Sequence, residues 1–281
     1  MKKIPARDLR IYIMLAALAV ACLLAILHWF PGIDLFSALV WSACCAVVII
    51  IVLSWSVIQV FALRTKSRLI RLLSQDAVYT PTTVQQVDYA DTECLTRYAD
   101  ALQALGFSLQ REVLVTLPSV KGSMFMRYYT HTESSSIAII IQEAPLPRNT
   151  VAPYCYFIQK FTGEWQVLSS SHALSTVTVA CRKPKSLWLL RQAMAPEKLY
   201  QCHVTFCTAL SQEMRITPRA ISVDELIQET QQRRREQAEQ IRAQSAARFF
   251  QKLQNLREDP PVDWYGDYRP SANAFNVRSA V

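Results

Sequence analysis

The chain is poor in glycine, with five in 281 residues. Between residues 77 and 259 only Gly106, Gly122 and Gly163 occur, each isolated. Phosphate loops and dinucleotide fingerprints need clustered glycines that let the backbone approach a phosphate, so neither can be built here. Aspartate is missing altogether between residues 101 and 223. A metal-dependent phosphoryl-transfer centre would have to be assembled from scattered glutamates. Histidine is scarce too. His28, His131, His172 and His203 stand in no local nucleophile signature, and lone histidines are usually structural or solvated.

The cysteines offer one cluster. "CHVTFC" places Cys202, His203 and Cys207 within one and a half helical turns. A closed zinc site needs four ligands, and no second cluster accompanies this one. On a helix these residues fit better as small core fillers around one buried histidine. Cys94, Cys155 and Cys181 fall on core positions and are expected as free thiols. The sequence therefore implies no catalytic residue, no metal and no cofactor.

What is present begins with charge. The formal net charge is +8. Residues 1–10 carry Lys2, Lys3, Arg7 and Arg10 against Asp8, and residues 64–76 carry Arg64, Lys66, Arg68 and Arg71 against Asp76. Those two short stretches hold most of the excess. A nucleic-acid footprint would cluster on the face of a folded domain, so no nucleic-acid partner is implied.

Residues 11–30 and 35–63 are uncharged, separated by the turn "PGID". At about 1.5 Å per residue the first run spans roughly 30 Å, the thickness of a bilayer's hydrocarbon core. This pattern predicts a two-helix transmembrane hairpin, with residues 1–10 as a basic N-terminus and residues 64–90 as a basic juxtamembrane segment followed by a linker over 77–90. Cations at both ends and only Asp34 in the turn put both ends in the cytoplasm by the positive-inside rule, as in a bacterial inner membrane protein. Arg64, Lys66, Arg68 and Arg71 would face anionic membrane lipid. Ala17, Ala21 and Ala25 on one helix, and Ala38, Ser42 and Ala46 on the other, repeat every four residues and would allow close helix packing. "LAVAC", Leu18 to Cys22, hints at a lipoprotein cleavage site, but Ala19 stands where a large aliphatic residue would be expected and the apolar run continues well past the cysteine, which argues against lipidation of Cys22.

Residues 91–215 read as a cytoplasmic α+β domain. Asp91 can cap a helix whose apolar stripe is Leu95, Tyr98, Ala99, Leu102 and Leu105. The period then changes to two, and "SLQREVLVTLP", "SMFMRYYTH", "SIAIIIQE", "YCYFIQKF" and "WQVLSS" read as strands, with "STVTVAC" as a sixth. Short turns between them imply an antiparallel meander of about five to six strands, with helices on one face. "KSLWLLRQAM" fits a strand, a helix or a surface segment. "PEKLYQCHVTFCTALSQEM" returns to helical spacing, with Pro196 in its first turn.

Residues 221–259 form a long charged helix. Its first half shows no apolar stripe. Its second half lines up Ile241, Ser245, Phe249, Leu253 and Leu256, a face that can rest on the domain, on a partner or on a membrane surface. Residues 260–281 are rich in turn formers and carry Trp264, Tyr265 and Tyr268, which either pack back or form a peptide motif. Phe249, Phe250, Leu253, Trp264, Tyr265 and Tyr268 are the candidate partner-binding or self-association residues. The sequence favours a noncatalytic membrane-anchored scaffold or accessory subunit. One alternative is a small-molecule or lipid sensor with a pocket at Phe125, Tyr128, Tyr154 and Tyr156. The other is an enzyme acting on membrane-proximal substrates.

Overall fold

The structure, a computed structural model, describes residues 20, 21, 25, 35–118, 122–145, 152–258 and 264–268. The chain divides into two compact units, Met1–Thr65 and Lys66–Val281. In the first, Val20, Ala21 and Ala25 are helical, and helix α1 (Leu35–Ser74) begins there and ends in the second. The sequence led us to expect a two-span membrane hairpin. Among the described residues no helix is long and apolar enough to cross a membrane. That finding overturns the hairpin, and with it the integral-membrane localisation with cytoplasmic ends. The expectation was drawn from uncharged length and flanking cations alone. The α1 run is interspersed with Ser37, Ser42, Ser54, Ser56 and Gln59, and the Ser56 hydroxyl donates back to the Val52 carbonyl at 2.8 Å. Most of residues 11–30 lie outside the described residues, as do Ala17 and the side chains of Ala38, Ser42 and Ala46. Ala21 and Ala25 are exposed helical residues.

The second unit is α+β, built on one mixed sheet. Strands β1 (Val78–Pro81), β2 (Ser108–Thr116), β3 (Ser123–His131), β4 (Ser136–Glu143), β5 (Tyr154–Phe161) and β6 (Gln166–Ser170) pair in sequence order, each antiparallel to the last. β7 (Ser186–Leu190) adds parallel to β6. Two short strands complete the sheet: β8 (Pro218–Arg219) on β5, and β9 (Trp264–Tyr265) on the outer edge of β7. The sheet thus has nine strands where about five to six were expected. Part of the extra comes from residues 77–90, read as linker but holding β1. "STVTVAC" is not a strand: residues Thr176–Ala180 form a short helix, α3, capped by the Ser175 hydroxyl accepting from the Thr178 N–H. A parallel β6–β7 pair needs a crossover, and this helix lies in it.

Helices cover both faces of the sheet, not one. On the first face lie α2 (Thr92–Ala104) and α4 (Pro196–Met214). The Asp91 carboxylate caps α2 by accepting from the Cys94 N–H at 3.0 Å. Leu95, Ala99 and Leu102 pack against Phe125, Tyr129, Ile140 and Phe157. On the second face lie α5 (Val223–Ala243) and α6 (Ala246–Glu258), separated by a break at Gln244. Val223 and Leu226 of α5 meet Val113, Tyr128, Ile137 and Ile139. Double coverage explains β4, where Ile137, Ala138, Ile139, Ile140 and Ile141 are all buried in succession. Each such isoleucine contributes about 1.5–3 kcal/mol by its removal from water.

Candidate functional site

Alternation along the strands decides what the second face presents to α5. Tyr128 of β3, Ile139 of β4, Tyr154, Tyr156 and Ile158 of β5, and Leu168 of β6 all point that way, as do Ser186 and Trp188 of β7. Val223 and Leu226 hold the first turn of α5 on the sheet, and Ile241 anchors its last turn in a cluster with Cys181 and Phe249. Between these anchors α5 carries Glu229, Arg233, Arg234 and Gln237 instead of apolar side chains, and they do not fill the space. The result is a cavity of about 1120 Å³, partly open to solvent, with an aromatic and aliphatic floor and a charged roof.

The roof is cationic on balance. Lys160, Lys183, Arg219, Arg233, Arg234 and Arg235 border the cavity, against Glu143, Glu164, Glu229 and Glu236. Most of the cations are ion-paired: Lys160 with Glu229, Lys183 with Glu236 at 3.7 Å, Arg219 with Glu225, and Arg235 with Asp76 at 2.7 Å. Arg233 and Arg234 make no ion pair among the described residues. Arg233 instead donates from Nη2 to the Ser186 hydroxyl at 3.1 Å, where Gln166 Nε2 and Trp188 Nε1 also donate, at 2.6 and 2.9 Å. Burial lowers the Arg233 pKa, against the pull of Glu229 and Glu236. Arg234 donates from Nη2 to the Leu72 carbonyl at 2.8 Å, while its Nε is buried without a protein partner.

The phenols are the second polar set. Tyr154 donates to Glu143 at 3.0 Å and stacks on His172 at 4.5 Å between ring centroids. Tyr128 has only the Met126 sulfur, at 3.3 Å. Burial pushes the hydroxyls of Tyr79, Tyr128, Tyr154 and Tyr156 up, so all four remain neutral O–H donors at physiological pH. No serine or threonine of the lining is hydrogen-bonded through its side chain to a histidine ring or a carboxylate among the described residues. The activated-nucleophile pairing that covalent catalysis requires is therefore not made there.

Of the four aromatic residues assigned to a pocket from sequence, Tyr128, Tyr154 and Tyr156 line this one cavity. Phe125 lies on the opposite face, in the α2–α4 core. Arg233 and Arg234 were missed because the α5 stripe of Leu226, Arg233, Gln237 and Ile241 reads as polar.

The "CHVTFC" cluster lies on the opposite side of the sheet. His203 is fully buried, with Nδ1 2.8 Å from the Ser169 hydroxyl and Nε2 3.6 Å from the Cys207 sulfur. Burial lowers its pKa to about 3 and raises the Cys207 thiol well above its ordinary value. Both are neutral, without access to solvent. Among the described residues no group of three or more His, Cys, Asp or Glu could hold a metal ion.

The candidate partner-binding residues are engaged within the chain. Phe249 is buried with Cys181 and Ile241, and Phe250 and Leu253 pack around them beside Leu69, Ile70 and Leu73 of α1. Trp264 and Tyr265 form β9, Tyr265 lies beside Trp188, and Tyr268 meets Trp165 edge-on. Of the four juxtamembrane cations, Lys66 donates from Nζ to the carbonyls of Arg242 and Gln244, at the end of α5. Arg64, Arg68 and Arg71 are exposed. Comparison of the chain with protein-family models, with curated proteins and with solved structures gives no match.

Proposed function

We propose that this chain is a noncatalytic ligand-binding protein of the sensor type, whose cavity between the sheet and α5 takes a small molecule. The observation that carries this reading is the cavity itself. About 1120 Å³ of space, floored by Tyr128, Tyr156 and Trp188 and roofed by polar side chains, lies on the face of the sheet opposite the α2–α4 core. Binding cavities combine an apolar wall with a few convergent polar groups in this way. The helix that forms the roof also carries its last turn into the cluster with Phe249. Occupancy that shifts α5 would therefore be felt by α6. The scaffold reading draws less support, since the aromatic residues it would use already have partners inside the chain.

The test is native mass spectrometry of the full-length chain, followed by extraction of whatever copurifies. One small molecule per chain, lost in an Ile158→Trp variant that fills the floor, supports the reading. A chain that carries nothing, and that no member of a broad metabolite and lipid panel stabilises thermally, overturns it.

A further inference from the structure

We infer that the ligand of this cavity is an amphipathic anion: an apolar body on the floor beneath α5, and a single phosphate or carboxylate head drawn to Arg233 and Arg234. The inference rests on the cavity reading above and names the chemistry it selects.

Three observations converge on the head. First, the other cations bordering the cavity are held in direct ion pairs, whereas Arg233 and Arg234 feel Glu229, Glu236 and Asp76 only at longer range, so among the described residues their guanidinium groups contact no carboxylate. Second, both guanidinium groups have donors to spare. A hydroxyl oxygen has two lone pairs, yet the Ser186 oxygen faces three donors, and Arg233 makes the longest of the three contacts. The Arg234 Nε is buried and orphaned, which costs about 1–3 kcal/mol unless something accepts from it. An oxyanion supplies acceptors to a guanidinium in the fork geometry that matches it. Third, Tyr79 and Tyr156 border the same space and make no side-chain hydrogen bond among the described residues. Neutral phenols donate to an anion and would not compete with it for the arginines.

The floor sets the other half of the ligand. Met126, Ile139, Ile158, Leu168 and Trp188 offer no charge and no free donor, since the Trp188 indole N–H is used by Ser186. A small inorganic anion would leave that floor wet. A neutral hydrocarbon would leave the buried Arg234 Nε without an acceptor and Arg233 sharing the crowded Ser186 oxygen. An apolar chain ending in one anionic group satisfies both.

The experiment uses the full-length, delipidated chain and four probes below their micellar concentrations: dodecanoate, dodecyl phosphate, dodecanol and inorganic phosphate. Binding is read by isothermal titration calorimetry. We expect one dodecanoate or one dodecyl phosphate per chain, and dodecanol at least about tenfold weaker, since a charge-assisted hydrogen bond contributes about 1.5–3 kcal/mol. Inorganic phosphate should bind weakly or not at all. Arg233→Gln and Arg234→Gln should each weaken the anionic amphiphiles about tenfold and leave dodecanol unchanged. Arg233→Lys, which keeps the charge, should recover part of the loss. Equal binding of dodecanol and the anions, with the arginine variants neutral, overturns the inference but leaves the cavity reading standing. Inorganic phosphate binding as tightly as dodecyl phosphate overturns the amphiphile and leaves an anion site. Failure of all four probes overturns the inference. Whether the cavity reading falls with it is decided by what native mass spectrometry finds on the purified chain.

Discussion

Acidification should unfold this protein earlier than its carboxylates alone would require, and His203 is the reason. The imidazole is fully buried on α4, and burial holds its folded pKa at about 3 against an ordinary 6.5. The unfolded chain therefore binds a proton near pH 6.5 that the folded chain refuses until about pH 3. Stability is unaffected by this group above pH 6.5, declines as pH falls through the interval, and levels off below the folded value. Between pH 7 and pH 5 the loss amounts to about 2 kcal/mol, and over the whole interval to roughly 4–5 kcal/mol. The assay is urea unfolding at pH 7 and pH 5, for the native chain and for His203→Gln, which keeps a neutral hydrogen-bonding side chain. The native chain should lose about 2 kcal/mol more than the variant over that interval. A second readout is the His203 ring titration by NMR, which should stay flat to pH 4. Equal pH dependence in the two proteins, or a ring that titrates near pH 6.5 while the chain remains folded, would refute the reasoning.

Three further outcomes follow from packing and capping. Phe249→Ala empties the cluster that joins Ile241, Cys181 and α6, and should cost about 3–5 kcal/mol by urea unfolding. Gly266→Ala would put a methyl group 2.4 Å from Leu187 Cδ2 and 3.3 Å from its Cα. That clash should loosen β9 by about 1–3 kcal/mol, seen as faster amide exchange at Trp264 and Tyr265, while unchanged protection would count against the packing described. Lys66→Ala removes the cation at the C-terminal carbonyls of α5, Arg242 and Gln244. It should lower stability by about 0.3–1 kcal/mol, with most of the loss screened away at high salt.

Where local signals agreed with tertiary context, the sequence could be read directly. The α2 stripe and its Asp91 cap, and the strands from β2 to β6, are all in place. Three elements were not legible, for different reasons. Thr176–Ala180 has β-branched residues at strand spacing, but the Ser175 cap and the parallel pairing of β7 draw it into a crossover helix. β1 lies among residues with no strong alternation and becomes a strand because β2 offers it a partner. α5 hides its buried face because arginine and glutamine occupy stripe positions, and hydrophobic periodicity cannot register a helix that docks partly through charged side chains. That third blind spot coincides with the proposed site, where a departure from ordinary core patterning is to be expected. The uncharged runs misled in the opposite direction, because absence of charge was taken as sufficient for a membrane span.

The two-residue strand β9 has a consequence for how the protein behaves among its own copies. All five residues of β7 are buried, and Trp188 and Leu189 are the positions that β9 pairs. Without that cover β7 would offer a row of unpaired amides and carbonyls beside a continuous apolar sequence, which is a template for recruiting a foreign strand. Trp264 and Tyr265, held by Asp267 on Arg182, act as a guard rail on that margin. A chain that loses the guard should remain folded yet become sticky, its aggregation second order in protein concentration and suppressed by adding back a peptide with the sequence of residues 262–268.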